Sequence, residues 1–270
     1  MCHNDTITFY YICRVGQNKP LKDMVFDTEK FIPGQSVDCV IVGFDKEGLK
    51  ILILRWKLVG LWGLPGGFVL KSEDLDKAAI RVLNERMGIS LPFLQQFHTF
   101  GKKDRRANES RFDQLSKMQV PQSFLDWFEQ RFISTGYVSL VNLNDCDPKP
   151  DQLSDLIQWC PLHELPDLIY DHSNIVEGAI DYIRNRINYL PIGRKLLPEK
   201  FTMKELQHLY ESILEKKLDR GNFQRKMLKL GIFIRHEKHL EGGAHKAPYL
   251  YSFDGDKYDE LLKKGIGFVS

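Results

Sequence analysis

A glycine-rich turn followed by a helical run carries the residues most able to do chemistry in this sequence. The turn contains Gly66-Gly67, and the run reads Arg-Val-Leu-Asn-Glu-Arg-Met-Gly-Ile over residues 81–89. Residues three and four apart share one face of a helix, so positions 82, 85 and 86 would point toward one site. Carboxylates there would bind Mg²⁺, which prefers oxygen ligands and can clamp a pyrophosphate. Only Glu85 supplies one.

The spacing of this stretch resembles the Nudix box, in which glycine, five residues, Glu and seven residues precede Arg-Glu-apolar-x-Glu-Glu-x-Gly-apolar. Every fixed step is present from Gly67 to Ile89. Where the box has three glutamates, this chain has Val82, Glu85 and Arg86. A guanidinium in place of a carboxylate repels a metal ion and also removes a ligand. The resemblance therefore implies a retained fold and a crippled hydrolase.

Three residues that look structural in the Nudix family are kept, namely Glu73 and Arg81 as an ion pair and Gly88 as a helix stop. Loss of the catalytic set with retention of the scaffold predicts a binding domain. Its ligand is expected to contact Gly66, Gly67, Arg81, Glu85 and Arg86. Glu85 is the residual catalytic and metal-binding candidate, and Glu73 is a weaker metal candidate. Mg²⁺ is expected only if hydrolysis survives.

The order of apolar runs predicts an α/β domain over residues 35–189. It follows an N-terminal extension (1–34) whose secondary structure the sequence does not decide. Strands are predicted at 37–44, 49–55, 93–100, 136–143 and 156–160, and helical spacing at 75–87 and 173–187. The turn Asp45-Lys46-Glu47-Gly48 joins the first two strands as a hairpin. Together with the box, these elements imply a Nudix α/β/α sandwich with a mixed sheet.

An insert at 102–133 is unusually long for a connection between two strands. Its first part is basic, and guanidinium groups pair phosphate bidentately, so Arg105, Arg106 and Arg111 are the expected anion binders. Its second part, 123–132, places Phe124, Trp127, Phe128 and Phe132 at helical spacing. The helix could pack back on the domain, cover the ligand pocket or form a dimer contact.

The segment 190–199 is punctuated by Pro and Gly and predicts a linker to a domain over 200–270. Thr202 with Glu205 forms a capping box for one helix, and Asp219 caps a second helix over 220–230. Strands are predicted at 232–236 and 249–253, joined by a loop with Gly242-Gly243 at its tip. This order is typical of a small winged helix-turn-helix domain.

The second helix would be the recognition helix and the glycine-tipped loop the wing. Cationic and polar side chains that lie off the apolar stripe would meet double-stranded DNA. The predicted DNA-binding residues are Arg220, Gln224, Arg225, Lys229, His245 and Lys246. A helical hairpin that only dimerises is the alternative, and winged helices also serve as protein-contact modules.

Composition limits the class of protein. The net charge is +2, but residues 190–270 hold 16 Lys and Arg against 11 Asp and Glu, which favours a nucleic-acid partner for that third. The five cysteines are scattered and odd in number, as expected of reduced thiols. Neither a signal peptide nor an apolar run of transmembrane length is evident, so we expect a cytoplasmic protein without a membrane partner.

The linker Pro-Ile-Gly-Arg-Lys-Leu-Leu-Pro-Glu-Lys-Phe-Thr (191–202), placed between a Nudix-like and a winged-helix domain, resembles the Nudix-related transcriptional regulators. That resemblance implies a homodimeric bacterial regulator that binds a DNA operator and needs no cofactor. It also implies a small-molecule effector, which is ADP-ribose or a related nucleotide sugar in one branch and a sugar in another. Two alternatives remain: a divergent Nudix hydrolase that cleaves ADP-ribose or a related nucleoside diphosphate with Mg²⁺, and a scaffold that binds neither DNA nor a small molecule.

Overall fold

The computed structural model describes residues 27–57, 60–87, 93–105, 121–150, 154–190, 192–238 and 247–265, without the side chains of Arg86 and Met87. Most of the predicted N-terminal extension lies outside these ranges. Within them, no helix has the length and apolar character needed to cross a membrane. The cysteines that they contain, Cys39, Cys146 and Cys160, are free thiols.

A seven-stranded mixed sheet forms the body of the first domain. The strands are β1 (Phe31–Asp45), β2 (Gly48–Trp56), β3 (Leu61–Gly63), β4 (Gly66–Leu70), β5 (Gln95–Phe100), β6 (Ile133–Leu140) and β7 (Ser154–Pro161). The central strand β1 pairs antiparallel with β2 and β4 and parallel with β6. β5 extends the sheet beyond β6, and β3 and β7 pair with β2. The predicted hairpin and the mixed sheet are confirmed.

Helices cover both faces of this sheet. In chain order the α-helices within the described ranges are α1 (Leu75–Met87), α2 (Gln122–Glu129), α3 (His172–Asn185), α4 (Ile192–Leu196), α5 (Met203–Leu214), α6 (Arg220–Lys229) and α7 (Gly255–Lys264). Successive residues of a strand face opposite sides, so Val37, Cys39 and Ile41 pack with α1. Val40 and Val42 pack with α3 on the other side. The α/β/α sandwich predicted from the apolar runs is confirmed.

One predicted strand is displaced. The strand expected at 136–143 is observed at Ile133–Leu140, because β6 pairs with β1 from Ile133 opposite Gln35 onward. Past its end, the side chain of Asn142 accepts a hydrogen bond from Asn144 N and starts a 3-10 turn. Val141 is nevertheless buried, so the apolar run continues beyond the extended backbone.

The second part of the insert is a small helix packed back on the domain. Phe124, Trp127 and Phe128 of α2 are buried, and the Trp127 ring lies against the rings of Phe31 and Phe68 at 5.9 and 5.5 Å. Residues 106–120, which include Arg106 and Arg111, lie outside the described ranges.

The C-terminal domain has the winged-helix arrangement. Thr202 and Glu205 close the predicted capping box on α5, and Asp219 caps α6 through Asn222 N. A small sheet in the order β8 (Phe201–Thr202), β10 (Tyr249–Phe253) and β9 (Phe233–Lys238) completes the fold. Strand β8 and helix α7 were not predicted, and Leu228 of α6 is 42% exposed.

The predicted linker is part of the core. It contains α4, and Ile192, Leu196 and Leu197 are buried in a hydrophobic cluster that reaches from the sheet of the first domain into the winged helix. Asn142 donates to the carbonyl of Leu197 at 3.1 Å, and the His208 ring lies 3.1 Å from the carbonyl oxygen of Lys46. The two domains therefore share one interior.

Candidate functional site

The box helix α1 presents an apolar side chain where a metal ligand would be needed. Val82 is fully buried with Ala78, Ala79 and Leu83 against the sheet. A Cβ at Gly67 would lie 2.9 Å from the Val82 side chain, so the turn and the helix touch at this point. Val82 therefore serves the core, as its apolar character predicts.

An ion pair fills the space between the turn and the helix. Arg81 donates to both carboxylate oxygens of Glu73 at 2.6 and 3.0 Å and to the carbonyl of Phe68 at 2.9 Å. Glu73 also accepts from the amide of Leu70 at 2.9 Å. Burial opposes the charge of Arg81, but Glu73 and Glu85 outweigh it and raise the pKa of Arg81. Because both oxygens of Glu73 accept internal hydrogen bonds, the weaker prediction of a metal ligand at this residue does not fit the geometry.

Glu85 is the one carboxylate kept from the three glutamates of the box. Its Oε2 lies 3.7 Å from Nη1 of Arg81, so a cation of the protein already faces it. Among the described residues no group of three or more His, Cys, Asp or Glu side chains could hold a metal ion. A magnesium pair needs several oxygen ligands around each ion, and this donor set does not supply them.

The glycines of the box turn (residues 64–67) allow a close approach to β1. A Cβ at Gly66 would lie 2.9 Å from the carbonyl oxygen of Val37 and would also collide with the carboxylate of Asp38. Cys39 N donates to the carbonyl of Pro65 at 2.8 Å. The turn is thereby held directly over Asp38.

A polar cluster whose members other than Asp171 are buried lies beneath the box turn. It consists of Asp38, Arg105, Ser134, Asp171 and His172, here called the Asp38 cluster. Ser134 and Arg105 donate to Asp38 at 2.5 and 3.2 Å, and Arg105 also donates to Asp171 at 2.7 Å and to the carbonyl of Phe132 at 3.1 Å. Arg105 is therefore an internal ion-pair partner, in place of the solvent-facing anion binder predicted from the basic start of the insert.

His172 connects the Asp38 cluster to the box turn. Its Nδ1 accepts from the amide of Leu64 at 2.9 Å, and its Nε2 lies 3.6 Å from Asp38. Burial lowers the pKa of His172, and the carboxylate of Asp38 opposes that shift only in part. Tyr170, whose ring lies 5.9 Å from that of His172, has φ 50° in the left-handed region. Such strain in a non-glycine residue is concentrated at functional sites.

A groove of about 660 Å³ opens at the start of α1. Ile32, Val69 and Leu75 form its apolar part, and Glu73, Asp74 and Asp76 line it with carboxylates. Asp76 accepts a 2.6 Å hydrogen bond from the hydroxyl of Tyr137. The acidic lining disfavours a phosphate, so this groove does not match the diphosphate part of a nucleotide sugar.

The second candidate surface is the outward face of α6. Phe223 and Met227 are buried, whereas Arg220, Arg225 and Lys229 are exposed and Gln224 is half-buried. Arg225 donates to Asn222 at 2.8 Å, which orients its guanidinium along the helix. The face opposite the buried stripe is therefore basic, as a helix that enters a major groove needs.

The wing sheet carries cations that the sequence analysis missed. The Arg235 guanidinium lies 4.4 Å from the centre of the Tyr249 ring, and the Lys238 ammonium lies 5.4 Å from it. Tyr249 is 39% exposed, so the stack faces solvent. Strand pairing brings these residues together across β9 and β10, and only the register of the two strands could have revealed it.

Two family models match the chain in consecutive segments. The NUDIX domain model matches residues 33–179, more than half of the chain, and the model described as NrtR DNA-binding winged helix domain matches residues 193–253. The chain belongs to the NUDIX domain family. It combines a Nudix domain with an NrtR-type winged helix.

Several relatives match the chain over most of its length. The ADPR-responsive transcriptional repressor NtrR of Acinetobacter baylyi is 29% identical over 236 residues, which cover 84% of each chain. The crystal structure of Shewanella oneidensis NrtR with a 27mer DNA shares 27% identity and a TM-score of 0.62, over 83% of this chain and 95% of that one. A MutT/nudix family protein from Enterococcus faecalis, at 19% identity and a TM-score of 0.57 over 82% of this chain and 86% of that one, shows the fold alone.

The structure brings some of the predicted Nudix-site residues together and not others. Gly66, Gly67, Arg81 and Glu85 lie within one region between the box turn and α1. Arg86 lies on α1 but its side chain is not described, and Arg111, His245 and Lys246 lie outside the described ranges. Asp38, Asp171 and His172 were missed, because they are far apart in sequence and belong to no motif.

Proposed function

We propose that this protein is a DNA-binding transcriptional repressor whose Nudix domain binds ADP-ribose. The observation that carries the proposal is the pairing, in one chain, of a box helix depleted of carboxylates with a winged helix that exposes a basic recognition helix. The relative from A. baylyi, which is named as an ADPR-responsive repressor, covers both parts. The effector and the DNA target are taken from that likeness.

The chemistry of the box helix supports binding without cleavage. Val82 is buried, Glu73 is paired with Arg81, and Glu85 faces the same guanidinium. A single guanidinium shared by two carboxylates does not replace the two metal ions that stabilise the attacking and leaving oxygens. Arg81 and the backbone of the box turn are the groups that we assign to the effector.

The winged helix supplies the contacts to a duplex. Arg225 and Lys229 on the outward face of α6 would reach phosphates or base edges, and Arg235 and Lys238 would approach the backbone beside them. We assign the working form to a homodimer in the cytoplasm, because two recognition helices related by a two-fold axis read two half-sites of an operator.

The test uses the full-length chain and duplexes selected by it from a random-sequence library. Anisotropy titrations with the selected duplex are expected to give a dissociation constant that shifts at least fivefold in either direction when saturating ADP-ribose is present. An absence of duplex binding, or identical constants with and without ADP-ribose, would overturn the proposal.

A second function, weak pyrophosphatase activity, is favoured by the retained Glu85 alone. The same preparation is incubated with ADP-ribose and MgCl₂, and AMP formation is followed. We expect the substrate to survive intact. Rapid turnover that disappears in the Glu85→Gln variant would favour the hydrolase instead, provided that the protein does not bind duplex DNA.

A further inference from the structure

Helix α3 begins at the box turn. Its first residue, His172, accepts the amide hydrogen of Leu64 at 2.9 Å, and Asp171 just before it pairs with Arg105 at 2.7 Å. The amide of Ile169 donates to the carbonyl of Trp62 at 2.8 Å, so the approach to the helix is tied to β3 as well. The residues at the N-terminus of α3 are therefore hydrogen-bonded both to the box turn and to β3.

The same helix ends at the winged helix. Arg184, in its last turn, donates from Nε to the carbonyl of Ile213 at 3.0 Å, and its guanidinium lies 3.2 Å from the carboxylate of Glu215. Ile213 belongs to the last turn of α5, and Glu215 is the C-cap of α5 with φ 50°. Arg184 thus binds the end of the first helix of the helix-turn-helix.

The body of α3 packs on the sheet along its length. Ile175, Val176, Ala179, Ile180 and Ile183 form a continuous buried stripe on the sheet. A helix of 14 residues spans about 21 Å, which is the distance over which it connects the two ends. Side-chain packing allows a helix to slide by about 1–2 Å, whereas β1 is fixed by hydrogen bonds on both edges.

We infer that α3 couples the box turn to the helix-turn-helix, and that the contact of Arg184 with Ile213 and Glu215 is the point at which effector binding alters the position of the DNA-binding helices. This inference rests on the proposed function. Arg184 acts as a positioning residue, since it contacts neither the box turn nor the outward face of α6 among the described contacts.

The experiment measures four dissociation constants with the full-length protein: selected duplex with and without ADP-ribose, and ADP-ribose with and without the duplex. By linkage, the two ratios are equal and define one coupling factor. For Arg184→Ala we expect both constants measured with a single ligand to stay within about twofold of the wild type. The coupling factor is expected to fall from fivefold or more toward one.

Two further variants keep the result interpretable. Arg186→Ala removes the same charge two residues later, where the described contact is with the Tyr182 ring of α3 itself at 5.3 Å, and it should keep the full coupling factor. Glu215→Gln removes the ion pair from the winged-helix side at a residue whose side chain is 50% exposed, and it should lower the factor at least twofold. If Arg184→Ala fails to fold, the coupling factor of Glu215→Gln alone tests the inference.

A coupling factor that is unchanged in both Arg184→Ala and Glu215→Gln would overturn the inference and leave the proposed function standing. Loss of coupling in Arg186→Ala to the same extent as in Arg184→Ala would overturn it too, because the effect would then be one of charge. A wild-type protein without any coupling would overturn the proposed function, and this inference with it.

Discussion

Arg81 is the central residue of the box helix, because its guanidinium contacts both Glu73 and Glu85. It donates to Glu73 and lies 3.7 Å from Glu85. The guanidinium thereby offsets part of the negative charge of the two acids, and it occupies the position that a metal ion would need to reach them. The Asp38 cluster repeats this arrangement, because Asp38 and Asp171 share the buried guanidinium of Arg105.

Replacing Arg105 by Ala should destabilise the fold by about 3 kcal/mol or more, because it leaves Asp38 buried without a cation. Urea unfolding measures the change. Lys103→Ala, at an exposed position two residues earlier, serves as the control and should cost less than about 0.5 kcal/mol. Equal stability of the two variants would show that the pairing of Arg105 contributes nothing.

His172 should make stability depend on pH below its ordinary pKa of about 6.5. Its folded-state pKa is lowered by burial, so the unfolded chain binds the proton more readily as the pH falls. Stability from this group is complete above about pH 6.5 and is lost as the pH decreases. Unfolding free energies between pH 5 and 7 should therefore slope less in His172→Gln than in the wild type. Parallel slopes would contradict the assignment.

At the scale of elements, the box turn packs closely on its neighbours because two of its residues are glycines without side chains. Gly66 approaches Val37 and Asp38, and Gly67 approaches Val82. Helix α6, which we assign to DNA recognition, shows the converse, since the assigned role depends on side chains that do not contact the core. Both elements could be predicted from local patterns in the sequence.

Gly66→Ala should destabilise the domain by about 2 kcal/mol, because the added methyl group meets the carbonyl oxygen of Val37 at 2.9 Å. Gly101→Ala is the matched control, since a Cβ there meets its nearest neighbour at an ordinary 3.6 Å. Melting temperatures of the two variants provide the comparison. A Gly66→Ala protein as stable as Gly101→Ala would mean that the box turn accommodates a methyl group without steric strain.

Arg225→Ala and Lys229→Ala should each weaken duplex binding and reduce the slope of log K against log salt by about 0.9, as expected for one lost phosphate contact. Lys77→Ala, whose side chain is 71% exposed on the Nudix domain, should leave both quantities unchanged. Binding isotherms at several salt concentrations measure the slope. The assignment of α6 to DNA binding is wrong if Lys77→Ala weakens duplex binding as much as Arg225→Ala and Lys229→Ala do.

At the scale of the whole molecule, the sheet, α3, α4 and the winged helix share one hydrophobic cluster. Scanning calorimetry of the full chain should therefore show one cooperative transition, with calorimetric and van't Hoff enthalpies that agree. Leu197→Ala, which opens a cavity at the junction, should lower its midpoint without splitting it. Two resolved transitions would indicate domains that unfold independently.

The sequence was sufficient for the hairpin of β1 and β2, the box helix, the capping box at Thr202 and the winged-helix order, because each has a local signature. It was insufficient for the Asp38 cluster, whose members come from β1, the insert, β6 and the start of α3. Arg105 illustrates the reason, since a basic run looks the same whether its members face solvent or pair internally. The stack of Arg235 and Lys238 on Tyr249 depended on strand register in the same way.

The burial of Ile192, Leu196 and Leu197 between the two domains has a consequence for the evolution and the engineering of such proteins. A hybrid joined at residue 199, with a Nudix half from one homologue and a DNA-reading half from another, would meet mismatched apolar surfaces at the join. A substitution in the apolar interface of one domain must therefore remain compatible with the packing of the other domain. New specificities in this lineage would arise by substitution within each half rather than by shuffling the halves.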